Sequence, residues 1–339
     1  MVPIRACNRG PSIIASGSAL RQWSGRDPGR LRWYLKGMKS ILFLLLAVFA
    51  LGFIWTWIRA VRRARADGNG VTPREPRRPT PEHLLIGLVT NFFDTLGIGN
   101  FATTTSIFKL RRMVPDELVP GTLNVGHTLP VVTEAVIYIS LIEVDTGTLA
   151  ALIAASVGGA WVGAPVVANW PRRTIQLGLG GVLIAAAGLM LTSQFEALPI
   201  GGSALGLNGL GLAVGIFGSF WLGALMTLGL GFYAPCMIMV SVLGMNPKAA
   251  FPIMMGACAF LMPVAGAQFL RRGRYSLRPA LGMTIGGIPG VLLAAYIVRS
   301  LPLGAVRWLV VVVVLYAATS MLRSAAVERR KAQAAPVSA

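Results

Sequence analysis

One short motif occurs at two places in the chain, and both copies interrupt long apolar segments. Residues 95–99 read Thr-Leu-Gly-Ile-Gly, and residues 227–231, 132 positions later, read Thr-Leu-Gly-Leu-Gly. The same offset pairs Ala102 with Ala234, Met113 with Met245, Pro115 with Pro247 and Pro120 with Pro252. Glycine-broken apolar segments at corresponding places in two halves point to the substrate site of a transporter. We therefore expect a duplicated membrane protein whose two breaks lie at its functional site.

The composition is that of a helical protein that crosses a membrane several times. Of the 339 residues, 55% are hydrophobic and 13% are charged, and the apolar stretches are continuous rather than alternating. Continuous runs predict transmembrane helices and argue against a β-barrel. The formal net charge is +19, but the basic residues gather at segment ends, where they set orientation in a membrane. We therefore expect a lipid bilayer as a partner and no nucleic acid.

The residue types that build metal sites and redox centres are scarce. The chain has three cysteines (Cys7, Cys236 and Cys258), two histidines (His83 and His127) and no Cys-x-x-Cys pair. We therefore expect no metal and no cofactor, and no motif of an enzyme competes with a transport function.

Three segments of different character precede the duplicated part. Residues 1–37 are a basic leader, 38–58 include 19 uncharged residues, enough for an extra transmembrane helix, and 59–83 are a basic, proline-rich linker. The arginines of the linker predict a cytoplasmic location, so the leader would lie outside with charge of the wrong sign. We expect residues 1–37 to be disordered and dispensable or untranslated, with Met38 as the start. A cleaved signal peptide is the alternative for 38–58.

Two units of similar length follow the linker. We assign 84–206 to transporter repeat 1, 207–322 to transporter repeat 2, and 323–339 to a polar, disordered cytoplasmic tail. Each repeat opens with a broken apolar segment, which three spans follow. The predicted segments are 84–110 (broken), 118–142, 148–168 and 175–192, and then 210–243 (broken), 249–270, 279–298 and 304–322.

The charges of the loops constrain how the broken segments cross. If each crossed once, the loop at Arg172 would lie opposite the arginine cluster at 271–278, against the positive-inside rule. If both turn back at their glycines, the basic loops become cytoplasmic and the loops at 143–147 and 193–206 become periplasmic. The residues that still disagree are Lys248, Arg299 and Arg307. We therefore predict an all-α polytopic fold of two inverted repeats, each a re-entrant helical hairpin plus three transmembrane helices. A kinked full-length first helix is the alternative.

Both breaks are candidates for an anion site. A helix that begins just after Gly99 would aim its positive end and its free N–H groups at the break, which favours an anion. The candidate substrate-binding residues are Gly97, Gly99, Asn100, Thr103, Thr104, Asn124, Gly229, Gly231, Tyr233 and Cys236. We expect the first copy to hold the polar part of the site and the second to shape and close it. The alternative is a tight hairpin whose hydroxyl groups only cap the backbone.

Three titratable residues in apolar segments are candidates for proton coupling. On a helix, His127 and Glu134 differ by about 20° in direction, so they share a face. An ionised glutamate in mid-membrane costs about 2–4 kcal/mol unless it faces a cavity or a partner. His127 could titrate or could be a hydrogen-bonded structural residue. Asp94 could contact substrate or could cap the hairpin turn.

Three stretches of the sequence resemble one family of membrane proteins. Residues 91–102, residues 120–127 with their Asn-Val-Gly-His ending, and Pro171-Arg172-Arg173 are similar to the sulfite exporter TauE/SafE family of bacterial permeases. The resemblance covers about residues 84–322, with the helix at 38–58 and the linker at 59–83 outside it. It implies export of small sulfur oxyanions, organosulfonates or other organic anions. Common members carry more glycine after the first break, where this chain has Asn100.

We therefore expect a multi-pass secondary transporter of the bacterial inner membrane that exports a small anion, sulfite or a related sulfur oxyanion or organosulfonate, with proton coupling. One alternative is a channel-like permease for another small solute, because paired re-entrant hairpins also build pores. Another is a membrane thiol oxidoreductase, but the repeat equivalents of Cys236 and Cys258 are Thr104 and Gly126. The oligomeric state is left open.

Overall fold

Helices make up nearly all of the part of the chain that the structure describes. The computed structural model describes residues 28–66, 78–163, 172–194, 202–226 and 232–334. Its α-helices are α1 (Pro28–Ala66), α2 (Pro81–Thr95), α3 (Asn100–Arg111), α4 (Val119–Leu141), α5 (Thr146–Gly158), α6 (Arg172–Gln194), α7 (Gly209–Met226), α8 (Tyr233–Val242), α9 (Ala250–Arg272), α10 (Leu277–Ser300) and α11 (Leu303–Ala334). A π-helical turn (Gly159–Gly163) extends α5, and a 3-10 turn (Pro247–Ala249) precedes α9.

Five of the described helices are long and apolar enough to cross a membrane. They are Gly37–Arg63, Gly209–Met226, Pro247–Arg272, Leu277–Val298 and Gly304–Val327. Helix α4 has 23 residues but is not among the five, and it carries the polar side chains of Asn124, His127 and Glu134. The helical content and these spans agree with the polytopic membrane class that the composition predicted.

The first broken segment begins and ends at one end of the molecule. Near the start of α2, Glu82 Oε1 accepts a hydrogen bond of 2.7 Å from Arg111, the last residue of α3. At the same end, Arg278 Nε, near the start of α10, donates to Arg78 O over 2.9 Å. We call this the basic end (residues 78–82, 109–118 and 271–278). Helices α2 and α3 are about 22 and 18 Å long at 1.5 Å per residue, so their junction lies deep in the molecule.

The second broken segment begins and ends at the opposite end. Its helices α7 and α8 start just after residue 208 and stop just before Met245, which forms an isolated bridge with Ala204. Asn246 N donates to Ala204 O over 2.9 Å, and Asp145 N donates to Leu205 O over 2.7 Å. We call this the loop end (residues 142–148, 202–208, 243–249 and 300–303). The turn between α7 and α8 (227–231) lies outside the described residues.

Each broken segment packs mainly on a helix from the other half of the chain. Helix α2 packs along α10, and α7 packs along α5 and its π-helical turn. Glycine allows both close approaches, because a Cβ at Gly286 would collide with the carbonyl of Leu84 and one at Gly223 with that of Ser156. Close packing of this kind is typical of helix pairs in membranes, where small residues let backbones approach. The described helices of the two halves are therefore interlocked.

The first helix is part of the packed body. Phe53 and Trp57 of α1 are buried with Leu270 and Tyr275 from the basic end of α9 and its loop. Opposite them on α1, Leu51 is 65% exposed, as expected of a lipid-facing side. Helix α1 begins at Pro28, so the structure describes residues 28–37 of the basic leader as helix. Proline is favoured in a first helical turn; residues 1–27 lie outside the described residues.

The last helix also extends further than the apolar pattern predicted. The predicted span ends at residue 322, but α11 continues to Ala334. Alanine, arginine, glutamate, lysine and glutamine dominate the added residues, and all are strong helix formers. The structure therefore describes residues 323–334 of the polar tail as helix.

Candidate functional site

The chain reverses between α2 and α3 at two glycines. Gly97 and Gly99 have φ angles of +94° and +89°, a region that residues with a Cβ avoid. A Cβ at Gly97 would also collide with the methyl group of Met237 in α8, whereas one at Gly99 would meet open space. Gly99 is the N-cap of α3 and has no side chain to cap it. The N–H groups that open α3 therefore depend on neighbouring side chains.

Asp94 covers the start of α3. Its Oδ2 accepts a hydrogen bond of 2.7 Å from Asn100 Nδ2, and the backbone N–H of Asn100 also lies within hydrogen-bonding range. Asp94 is 1% exposed. This carboxyl group thus occupies the positive end of α3, the place where the sequence predicted an anion.

His127 is held on both ring nitrogens. Its Nδ1 lies 3.0 Å from Asn91 Oδ1, and its Nε2 lies 3.1 Å from Thr104 Oγ1. Asn91 Nδ2 donates to Gly87 O over 2.7 Å, which leaves Oδ1 to accept. A neutral imidazole with its proton on Nδ1 satisfies all three groups. Asn91 Oδ1 also accepts from Asn100 Nδ2 over 3.3 Å, so His127 and Asp94 belong to one network.

Glu134 joins the network from the same helix as His127. Its Oε1 accepts from Thr95 Oγ1 over 2.8 Å, and Tyr138, one turn further on, donates to Thr95 O over 2.9 Å. The Glu134 and Asp94 carboxyl groups adjoin each other. The other carboxyl oxygens, Glu134 Oε2 and Asp94 Oδ1, are buried and accept no hydrogen bond of regular geometry from the described residues. Two adjoining buried carboxyl groups avoid simultaneous ionisation, because like charges repel strongly where water is excluded.

Proline at position 130 shapes the part of α4 that carries the network. Pro130 has no N–H, so Gly126 O, four residues earlier, loses its partner within the helix. Thr284 Oγ1 of α10 donates to Gly126 O over 2.8 Å. Helix α10, from the second half of the chain, thus replaces the hydrogen bond that α4 loses at Pro130, between the positions of His127 and Glu134.

The second half contributes Tyr233 and two thiols. Tyr233, the first residue of α8, lies within hydrogen-bonding range of Asp94 and of Cys258. Cys258 Sγ lies 3.9 Å from Met226 Sδ, and Cys236 is buried in the apolar core. Neither cysteine forms a disulfide. Gly229 and Gly231 lie outside the described residues.

The side chains of Asn124 and Thr103 form hydrogen bonds outside the network. The Asn124 side chain donates to Pro120 O of its own helix over 2.9 Å and is half-buried. Thr103 donates to Asn100 O over 2.9 Å, again within its own helix. Among the described residues, no group of three or more metal-ligating side chains converges here or elsewhere.

Three members of the network were not singled out from the sequence. They are Asn91, Thr95 and Tyr138. Their signal was present as helical spacing, because Asn91 lies one turn before Asp94 and Thr95, and Tyr138 lies one turn after Glu134. Polar residues one turn from an intramembrane carboxyl group merit the same attention as the carboxyl group itself.

Comparison with protein families assigns the chain to a known family. The model of the sulfite exporter TauE/SafE family matches residues 30–190 and 210–339. The match begins at residue 30, so the expectation that the N-terminal helix and linker lie outside the family resemblance was wrong. No curated protein and no solved structure matched the chain significantly. Because the family match covers most of the chain, this protein belongs to the sulfite exporter TauE/SafE family of multi-pass membrane permeases.

Proposed function

We propose that this permease is a secondary transporter of the bacterial inner membrane that exports sulfite or a related sulfur oxyanion or organosulfonate. The observation that carries the proposal is the buried polar network at the tip of the α2–α3 hairpin. It draws side chains from both halves of the chain, including Asp94, His127 and Glu134 from the first and Tyr233 from the second. Intramembrane polar residues between two repeats mark the substrate and ion path of a transporter.

We further propose that the halves are inverted repeats with two re-entrant hairpins. The contact between Glu82 and Arg111 supports a first hairpin that opens at the basic end. The bridge between Ala204 and Met245 supports a second that opens at the loop end. The reciprocal packing of α2 on α10 and of α7 on α5 supports a common ancestry of the units. The basic end then faces the cytoplasm.

The anion is proposed to bind at the start of α3, where Asp94 now lies. The N–H groups of that helix, the Asn100 amide and the Tyr233 hydroxyl are the available donors, and the open space beside Gly99 leaves access. A small oxyanion needs several donors, which a helix start supplies without a formal cation. Asp94 competes for the same donors, so the anion binds best when the charge of Asp94 is neutralised.

This competition determines the sign of the proton coupling. An anion beside Asp94 and Glu134 favours their protonation, and by linkage protonation favours the anion. Proton and anion then move in the same direction, and a monoanion with one proton carries no net charge. Without the proton, each unit charge would experience about 2.3 kcal/mol per 100 mV of membrane potential. His127 is the third candidate for proton coupling. We propose that it also positions the side chains of Asn91 and Thr104.

Reconstituted protein tests both parts of this proposal. Proteoliposomes loaded with sulfite, thiosulfate or sulfoacetate should show saturable efflux accompanied by alkalinisation of the lumen. Asp94→Asn and Glu134→Gln should transport anion without moving protons, whereas Asp116→Asn, an exposed carboxylate paired with Lys109, should behave as wild type. Absence of flux for all three anions would refute the transport function. Unchanged proton movement in both variants would refute the coupling site.

A further inference from the structure

A cavity of about 200 Å³ opens at the loop end, between the ends of α4 and α10. Its polar lining comes from Glu143, Asn246 and Lys248, and Tyr138 also lines it. A water molecule takes up about 30 Å³ in the liquid, so the cavity has room for one small oxyanion with some of its hydration. We call it the outer vestibule.

Lys248 places a positive charge in the outer vestibule. Its Nζ donates to Leu301 O over 3.0 Å, which leaves two further N–H donors of the ammonium group. Among the described residues the ion pairs are Lys109 with Asp116 and Arg111 with Glu82, both at the basic end. Glu143 lines the same cavity but does not neutralise Lys248 by a direct ion pair. A lysine at this end also departs from the positive-inside pattern that the loops otherwise follow.

Tyr138 separates the vestibule from the buried network. Its ring stacks on Phe251 at 5.1 Å, and its hydroxyl donates to Thr95 O over 2.9 Å. Thr95 in turn donates to Glu134. A single side chain therefore borders the vestibule on one side and the tip of the α2–α3 hairpin on the other. Displacement of the Tyr138 ring would break this hydrogen bond and the stacking contact with Phe251.

We infer that the outer vestibule is a second binding site for the transported anion, with Lys248 as its cation and Tyr138 as the gate to the site at the α3 start. This inference rests on the proposed function and adds a path of release. An anion that leaves the start of α3 passes Tyr138 and is held by the ammonium group before it reaches bulk solvent. Glu143 at the rim weakens this hold by like-charge repulsion, which favours departure.

Sided kinetics test the role of Lys248. Sulfite counterflow is measured in right-side-out and inside-out vesicles that contain the full chain. Lys248→Gln should raise the KM for external sulfite about tenfold, equivalent to about 1.4 kcal/mol, and should leave the KM at the basic end unchanged. Lys248→Arg should restore it, and Glu143→Gln should lower the external KM. An external KM that Lys248→Gln leaves unchanged would show that Lys248 only caps α10, and would overturn the site.

A leak assay tests the role of Tyr138. Tyr138→Ala should produce anion flux that no longer saturates, because the vestibule and the buried site would be continuous. Tyr138→Phe keeps the ring and should remain saturable with faster exchange, and Phe251→Leu controls for loosened packing. If Tyr138→Ala is folded and remains saturable, Tyr138 is not a gate. Absence of any counterflow by wild-type protein would instead refute the proposed function on which the inference rests.

Discussion

At the scale of single residues, Asn91 connects the two parts of the buried network. Its amide oxygen accepts from His127 and from Asn100, and its amide nitrogen is held by Gly87 O. A Cβ at Gly287 of α10 would collide with this amide, so the neighbouring helix is shaped to admit it. Asn91 thereby fixes the orientation of His127 and of Asn100, the first residue of α3.

Replacing Asn91 should impair transport more than replacing Asn124. Asn91→Ala leaves two buried donors without that acceptor, at about 1–3 kcal/mol for each unsatisfied group. We expect a loss of sulfite counterflow of about tenfold or more, where tenfold corresponds to about 1.4 kcal/mol. Asn124→Ala, which removes a bond within its own helix, is the matched control. Similar losses in both variants would contradict the assignment.

The two glycines of the first break should differ in their tolerance of alanine. Both have positive φ, which strains any residue with a Cβ, but only Gly97 also meets Met237. Thermal unfolding in detergent should therefore show Gly97→Ala less stable than Gly99→Ala. Met237→Ala should recover part of the loss at Gly97 and none at Gly99. Equal stabilities of the two alanine variants would show that α8 does not press on the break.

At the scale of elements, the apolar runs predict the helices well and their ends less well. The span predicted at 118–142 agrees within one residue with the helix Val119–Leu141. The agreement is close because both ends of this helix coincide with changes in polarity. α1 and α11 extend beyond their apolar parts, because helix propensity rather than hydropathy decides where a solvated helix stops. Helix geometry placed His127 and Glu134 on one face, but the partners of these residues depend on which helices pack against α4. That information is not contained in the period of a single helix.

The contact between α10 and the proline of α4 should stabilise the fold. Thr284→Val removes the donor to Gly126 O and leaves a buried carbonyl unsatisfied, at a cost of about 1–3 kcal/mol. A fall in melting temperature together with weaker counterflow is expected. Thr319→Val, whose hydroxyl is exposed and bonds within its own helix, should change neither. If Thr284→Val matched this control, Gly126 O would have another partner.

At the scale of the whole molecule, the arrangement of charged loops determines the proposed topology. Glu82 and Asp116 flank the first broken segment, and both have exposed side chains. A re-entrant hairpin puts both on one face of the membrane, whereas a full crossing puts them on opposite faces. Leu205, 43% exposed at the loop end, provides the reference for the other face.

Labelling of single cysteines tests this topology. In a Cys7→Ser background, where the two remaining cysteines are buried, Glu82→Cys and Asp116→Cys should react with a membrane-impermeant maleimide in inside-out vesicles only. Leu205→Cys should react in right-side-out vesicles only. Opposite labelling of the first two positions would show that α2 and α3 cross the membrane together and would exclude inverted repeats.

The central claim is that the network at the tip of the α2–α3 hairpin binds a transported anion, and sulfite counterflow tests it most directly. Proteoliposomes loaded with sulfite should accumulate labelled external sulfite transiently, because an alternating-access transporter exchanges bound anion while a channel does not. Wild-type protein and Asn124→Ala should show this overshoot, and Asn91→Ala and Asn100→Ala should lose it. Sulfite flux without an overshoot, or an overshoot that both network variants retain, would contradict the account.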